Sequence, residues 1–246
     1  MKIKSKKKIK VGSNIKASGV GGFSFKGSTA KYFEEHIIKS IPLFEETHKL
    51  ISKLSVFFIS NKSIIYDLGC STGMASRAIV DLNCNKNFTI LGLDSSKDMI
   101  SIAKKKSNKI YKNKIKYFCC DVLKKKFKQS DLIISNYFIQ FVHPKKRQLI
   151  FDKIYKSLNY GGGFIFFEKT RGPDARFQDM FTQLYNEYKI EEGFTEKEIL
   201  NKSKSIRGFL EPFTESENFN FLKRAGFKDY VTIFKYYSFQ GFLAIK

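Results

Sequence analysis

The sequence predicts an α/β domain on a doubly wound, seven-stranded sheet: five parallel strands, then a C-terminal antiparallel hairpin. Three observations predict it. Between residues 63 and 169, short apolar runs alternate with segments whose apolar residues recur at helical spacing, the pattern of a parallel sheet covered on both faces. The first of these strands breaks into small residues in "IIYDLGCSTG" (64–73), where the backbone can turn tightly and approach a ligand at a helix N-terminus. After Lys169 the alternation stops, and the chain closes with "DYVTIFKYYSF" and "GFLAIK", which read as a hairpin.

Taken in order, residues 1–28 read as a basic flexible tail. "MKIKSKKKIK" is Lys-rich without the apolar core of a secretory leader, and a Gly- and Ser-rich stretch extends it to Ser28. Residues 29–246 form the domain. Helical spacing over 31–60, broken at Pro42, predicts two helices. "SIIYDLG" is a strand, and "STGMASRAIVDL" a helix with one apolar face. "FTILGLDSS" is a strand closed by Asp94, followed by a helix through Met99, Ile102 and Ala103. "KIKYFCCDV" and "DLIISNYFIQF" are further strands, residues 144–158 a helix, and "GGGFIFFEK" the fifth strand. A helical insert covers about 170–212. Thr195 with Glu198, and Thr214 with Glu217, have capping-box spacing, and Gly226 is placed to stop the second of those helices.

Composition narrows the function classes. Hydrophobic residues make up 42% of the 246, enough for a core, and no apolar run reaches the ~18–20 residues that span a bilayer. The four cysteines form no CxxC pair and no metal-ligand spacing with His36, His48 and His143; free thiols in a cytoplasmic protein without a metal are expected. The net charge of +22 invites nucleic acid as a partner, but 39 of the 45 cations are Lys and only 6 Arg. Arg dominates where phosphates and bases are read by fork geometry, so weak, non-specific nucleic-acid binding is the expectation.

The opening motif is D-x-G-x-x-x-G, from Asp67 through Gly69 to Gly73. Ser71 removes the dinucleotide fingerprint, and no Gly-Lys-Ser/Thr follows to make a phosphate loop. Asp94 closes the second strand and Asp121 follows the third. Each acid alone could merely cap the next helix. Three at successive strand ends resemble the class I S-adenosylmethionine-dependent methyltransferases, over residues 60–246. In that reading Gly69 and Gly73 let the backbone approach the amino-acid part of the cofactor, while Asp67 faces its ammonium or organises the turn. Asp94 accepts from the ribose hydroxyls and Asp121 from the adenine amine, with the Val122 amide beside it.

A closer resemblance is carried by "KSIPLFEE", "SNYFIQFV", "FDKIYKSLNYGGGFIFFEK", "GFTEKEI" and "FLKRAGF". These are similar to the carboxy-S-adenosylmethionine synthase family, which uses prephenate and serves tRNA wobble-uridine modification. The resemblance implies cofactor contacts at Gly69, Cys70, Ser71, Asp94, Ser95, Asp121, Val122 and Asn136. It also implies a homodimer in which the helix after Thr195 approaches the partner's site. Two positions depart from the family: Phe44 stands where it has Tyr, and Ser203 where it has the Arg that holds the new carboxylate. Ser203 is expected to face inward with Ile199 and Ile206, and Lys202, Lys204 and Arg207 to point elsewhere.

On the sequence, then, methyl transfer to an unidentified small-molecule or tRNA-linked acceptor comes first, with Asn136, Phe44 and Ser203 as candidate catalytic residues. Carboxy-S-adenosylmethionine synthesis is the alternative, and a non-catalytic cofactor-binding partner subunit the third reading. Glu168 is a general base or a packed acid, and Tyr137 a substrate-facing or turn residue.

Overall fold

The computed structural model describes residues 8–107 and 109–246. A two-stranded ribbon, β1 (Ile9–Lys10) and β2 (Lys16–Ala17), precedes three helices, α1 (Ser28–Lys31), α2 (Phe33–Ser40) and α3 (Phe44–Ser55). The alternating region follows as β3 (Ile64–Leu68), α4 (Met74–Leu82), β4 (Thr89–Asp94), α5 (Lys97–Lys106), α6 (Lys109–Lys114) and β5 (Ile115–Cys119). It continues through β6 (Ser130–Asn136), a 3-10 turn at Ile139–Phe141, α7 (Pro144–Ser157) and β7 (Leu158–Lys169). Two insert helices, α8 (Ala175–Glu191) and α9 (Glu196–Ser205), lead to α10 (Glu215–Ala225) and the hairpin β8 (Asp229–Tyr236) and β9 (Phe239–Ile245).

The large sheet has the order β5-β4-β3-β6-β7-β9-β8, parallel from β5 to β7, with β9 antiparallel between β7 and β8. The expected seven strands and their directions are all present. Period-two alternation along the strands sorts residues between two apolar layers. Ile65, Ile134, Ile165 and Phe167 pack with α3 and α4, whereas Tyr66, Ile133, Phe164 and Phe166 pack with α7 and α10. Strand order reverses between β3 and β6, and ligands of open α/β sheets lodge outside the strand carboxyl ends at such a point. Both predicted capping boxes form, and Gly226 ends α10 with φ 113°. No helix among the described residues is long and apolar enough to cross a membrane.

The N-terminal segment differs from expectation. Residues 1–7 of the proposed tail lie outside the described residues, but from Val11 onward the chain is packed. Val11, Ile15, Ala17 and Phe23 are buried in a third apolar cluster with Ile206 and Phe209. Backbone bonds tie Gly21 to Lys204 and Phe23 to Ser205, the Ser96 hydroxyl donates to the Phe25 carbonyl at 2.6 Å, and the Gly27 amide donates to Asp98. The lysines mask an apolar spacing whose partners lie some 190 residues away, on and after α9.

Glu168 is the packed acid. It is buried at the end of β7 and accepts the Ile139 amide at 2.9 Å, holding the 3-10 turn. Burial raises its carboxyl to about 8, opposed in part by the Arg147 guanidinium. The folded state therefore keeps a proton that the unfolded chain releases above its ordinary value of 4.5. Stability from this group is present below that pH and is lost as pH rises toward 8; Asp67, raised to about 7, acts in the same direction. Glu168→Gln should flatten the fall in urea-unfolding free energy over this range by on the order of 2–4 kcal/mol. Parallel pH profiles for the two proteins would exclude Glu168 as the titrating group.

Candidate functional site

The carboxyl ends of β3, β4 and β6 open into a cavity of about 690 Å³, within the size range of small-molecule sites. Phe23 and Phe25 of the N-terminal segment, α2, α8 and α9 supply its other walls.

On the sheet side the loop after β3 is wound tightly. The Gly69 and Cys70 amides both donate to the Leu93 carbonyl, at 2.8 and 3.0 Å. Gly69 has φ 69°, and a Cβ there would collide with Phe138. Ser71 also sits in the left-handed region, at φ 53°, a conformation a non-glycine residue holds only when its surroundings enforce it. Asp94 supplies the enforcement: its carboxylate accepts the Ser71 amide at 3.0 Å and the Ser96 amide at 2.8 Å, joining two loops. Each oxygen keeps a further lone pair for another donor. Burial raises the Asp94 carboxyl and these amides oppose the rise. Asp67 is wholly buried and accepts the Ser76 hydroxyl at 2.6 Å, fixing the first turn of α4. Burial, with Asp94 adding to it, raises Asp67 to about 7.

Asn136 is oriented by a buried histidine of α3. His48 Nδ1 donates to the Phe44 carbonyl at 3.0 Å, leaving Nε2 to accept the Asn136 amide at 3.3 Å. Burial keeps His48 neutral by lowering its pKa, which this pairing requires. Asn136 Oδ1 is then buried without a partner, as is the Tyr137 hydroxyl. Phe44 packs on His48 with ring centroids 4.5 Å apart, on the same cavity wall.

The fold brings Phe44, Asp67, Gly69, Cys70, Ser71, Asp94, Ser95, Asn136 and Ser203 to one cavity. Gly73, Asp121 and Val122, expected at the cofactor, lie outside the lining of this cavity. Gly73 starts α4 at φ 81°, and Val122 is buried in the layer beneath α7. Asp121 is exposed and accepts the Leu123 amide at 2.9 Å, so its carboxylate caps its own turn.

Ser203 is a correction. It touches the cavity but is exposed, and Lys202 is the residue that reaches inward, with Nζ 3.4 Å from the centre of the Phe23 ring. On a 3.6-residue helix, i+3 and i+4 flank the same face, so Lys202 shares the inward stripe of Ile199 as fully as Ser203 does. Its stem is long enough to lie on the aromatic wall supplied by the N-terminal segment.

Three further residues, none of them a candidate on the sequence, belong to the same wall. Lys169 ends β7 and Lys189 lies on α8; their Nζ atoms stand 4.4 and 4.0 Å from the Tyr185 ring centre. His36 on α2 pairs through Nε2 with Ser40 Oγ at 3.1 Å, and its buried Nδ1 has no partner. All three line the cavity with Lys202. Burial lowers Lys169 to about 8, with Arg171 adding to it, and Lys189 to about 7, with Lys169 adding to it. Lys202 is pushed well down by burial and by Lys189, and His36 to about 2 by burial and by both Lys202 and Lys189. No ion pair among the described residues involves these lysines. Nothing in the sequence marks three lysines out of 39.

Comparison with known proteins matches residues 65–162 to a family described as "Methyltransferase domain". Carboxy-S-adenosyl-L-methionine synthase of Staphylococcus epidermidis is 35% identical over 218 residues, covering 89% of this chain and 94% of the relative. The enzyme of that name from Campylobacter jejuni is 36% identical over 224 residues, covering 91% and 94%. This chain belongs to the carboxy-S-adenosyl-L-methionine synthase family. The fold is shared more widely. A putative O-methyltransferase from Nostoc punctiforme superposes with a TM-score of 0.62 at 17% identity, over 89% of this chain and 59% of that one. Human N-acetylserotonin methyltransferase in complex with S-adenosylmethionine gives 0.59 at 19%, over 89% and 55%.

The chain is thus an S-adenosylmethionine-dependent enzyme of the synthase family, and the cavity suits that cofactor. A cation bearing an ammonium and two ribose hydroxyls needs acceptors. The sheet side offers the Asp94 carboxylate and the orphaned Asn136 Oδ1 beside an aromatic wall.

Proposed function

We propose that this chain makes carboxy-S-adenosylmethionine from S-adenosylmethionine and prephenate. The observation that carries the proposal is the pairing, in one cavity, of an acceptor-rich sheet edge with three lysines that have no anion of their own. The first wall suits a cationic cofactor and the second an anionic co-substrate such as a dicarboxylate. In this reaction the sulfonium makes the adjoining methyl group acidic. Overall, one methyl proton is exchanged for the carbon dioxide of prephenate, and prephenate leaves as phenylpyruvate; the proton and the hydroxide it sheds make water.

The residues divide the work accordingly. Asp94 accepts from the ribose hydroxyls, held in place by its bonds to Ser71 and Ser96. Gly69, Cys70, Ser71 and Ser95 shape the adjoining backbone, and Asn136 Oδ1 accepts from the ammonium, aimed by His48. Asp67 steadies the turn through Ser76. Phe44 and Tyr137 exclude water from the reacting carbon, and the lysines hold the co-substrate's carboxylates.

Methyl transfer stands as the second reading because Ser203 and Phe44 replace the Arg and Tyr of the family resemblance. A neutral methyl acceptor, however, gives the lysine wall no role. Turnover by the purified chain separates both readings from a non-catalytic partner subunit. Four free thiols suit the cytoplasm, and a charge of +22 carried mostly by Lys suits weak, salt-sensitive contact with nucleic acid. A homodimer is supported by α8: Lys189 is its one buried residue, and Phe177, Met180 and Leu184 form an exposed apolar stripe for a second copy.

Three outcomes test this reading. Incubation with S-adenosylmethionine and prephenate should yield a cofactor whose mass has increased by one carboxyl group. An unchanged cofactor mass, with methyl transfer seen once an acceptor is supplied, would decide for the second reading. Asp94→Ala should weaken S-adenosylmethionine binding by roughly ten- to a hundredfold in calorimetry, through loss of charge-assisted hydrogen bonds; unaltered affinity would remove Asp94 from the site. Met180→Glu combined with Leu184→Glu should convert a dimer to a monomer by light scattering, and an unchanged mass would place the interface elsewhere.

A further inference from the structure

The lysine side of the cavity is a more definite object than a patch of charge. Lys202 from α9, Lys189 from α8 and His36 from α2 come from three separate elements, and each is coupled electrostatically to the next. His36 is 3% exposed, so its unpartnered Nδ1 is a buried polar atom without a hydrogen bond, an arrangement folded proteins avoid unless a ligand completes it. The Ser40 hydroxyl can donate to Nε2 or accept from it, and in the tautomer where it donates the Nδ1–H faces the cavity corner as a donor. Phe23 lies under Lys202, and Phe194 packs edge-on against His36 with centroids 5.6 Å apart, so this corner is walled by apolar rings.

The other charged groups do not neutralise it. Lys169 and its neighbour Arg171 add positive charge from β7 and the residues after it. Of the acids on α9 that line the cavity, Glu198 is engaged by the Thr195 cap, and Glu196 is exposed and pairs with none of these lysines. His48 on α3 is committed to Phe44 and Asn136, while Asp67 and Asp94 are held by Ser76 and by the Ser71 and Ser96 amides.

We infer that Lys202 and Lys189, beside the buried His36, form a carboxylate-binding subsite that replaces the charge Ser203 does not supply. The inference rests on the proposed carboxylation, since a carboxylate-bearing co-substrate is what gives the subsite a ligand. Two consequences separate it from an arginine anchor. An ammonium is a point charge and imposes no bidentate geometry on the anion. Amines crowded together in a dry corner also lose protons where a guanidinium does not, and a bound carboxylate restores them. Binding must therefore take up protons, and affinity must fall as pH rises through the range in which the free lysines deprotonate, which begins near 7 for Lys189.

The test is calorimetry of prephenate on the full chain saturated with S-adenosylhomocysteine. It is run at about pH 8 in two buffers of different ionisation enthalpy. The wild type should bind with net proton uptake. Lys202→Met should lose about tenfold or more in prephenate affinity and part of the uptake, while its S-adenosylhomocysteine affinity reports an intact fold. Lys202→Arg, which fixes one of the two charges, should weaken less steeply than the wild type across the alkaline range, Lys189 alone still losing its proton. Equal prephenate binding by wild type and Lys202→Met, or wild-type binding without proton uptake, overturns the subsite. Should Lys202→Met fail to fold, the pH profiles of the wild type and Lys202→Arg decide, and identical profiles overturn it. The two readings fail separately. A wild type that binds prephenate with uptake yet forms no carboxylated cofactor ends the proposed reaction and leaves the subsite standing. Equal carboxylation by wild type and Lys202→Met ends the subsite and leaves the reaction.

Discussion

The reversal of strand order between β3 and β6 is the constraint on which the site depends. A parallel sheet with both faces apolar must send its crossover helices to both sides, and the chain must change direction somewhere to do so. Here the change separates the β3–α4 loop from the β6–α7 loop, so that Gly69 to Ser71 and Asn136 face one opening. The loops do not hold their shape unaided. Gly69 and Ser71 take left-handed conformations because the Leu93 carbonyl and the Asp94 carboxylate collect their amides. A residue able to meet ligand hydroxyls is therefore also the one that builds the loop around them.

What the sheet leaves open, the insert and the N-terminal segment close. α8 and α9 bring Lys189 and Lys202, and the segment from Val11 to Gly27 lies against α9 and the start of α5, contributing Phe23 and Phe25. The aromatic rings matter to the charges. Taking an ammonium out of water costs several kcal/mol unless something compensates, and ring faces return only part of that. In the proposed reaction, the anion that compensates these three amines arrives with the co-substrate. The same low polarity lets Asp67 and Glu168 stay protonated near neutrality, each beside a donor that accepts either state.

The two family departures, Phe44 and Ser203, take on a different meaning in this setting. Phe44 keeps its backbone carbonyl in the His48–Asn136 relay, a role that no side chain at that position affects. Ser203 leaves room on the face of α9 where Lys202 already projects. Loss of one cation at a helix position does not remove the charge of a site when neighbouring elements aim others at the same space.

The sequence by itself determined the seven strands, their order of direction, both capping boxes and the acceptor-bearing ends of β3 and β4. These are written in local periodicity and in residues whose backbone or capping demands are met within a few positions: Gly69, Asp94, Thr195, Thr214 and Gly226. The same local logic overreached at the N-terminus, where lysines hid Val11, Ile15 and Phe23. Tertiary structure alone decided the cationic wall and its roof. Lys169, Lys189, Lys202 and His36 are ordinary residues in sequence and become a site only through convergence of four elements, because desolvation and mutual repulsion are properties of the enclosed space and not of any one segment.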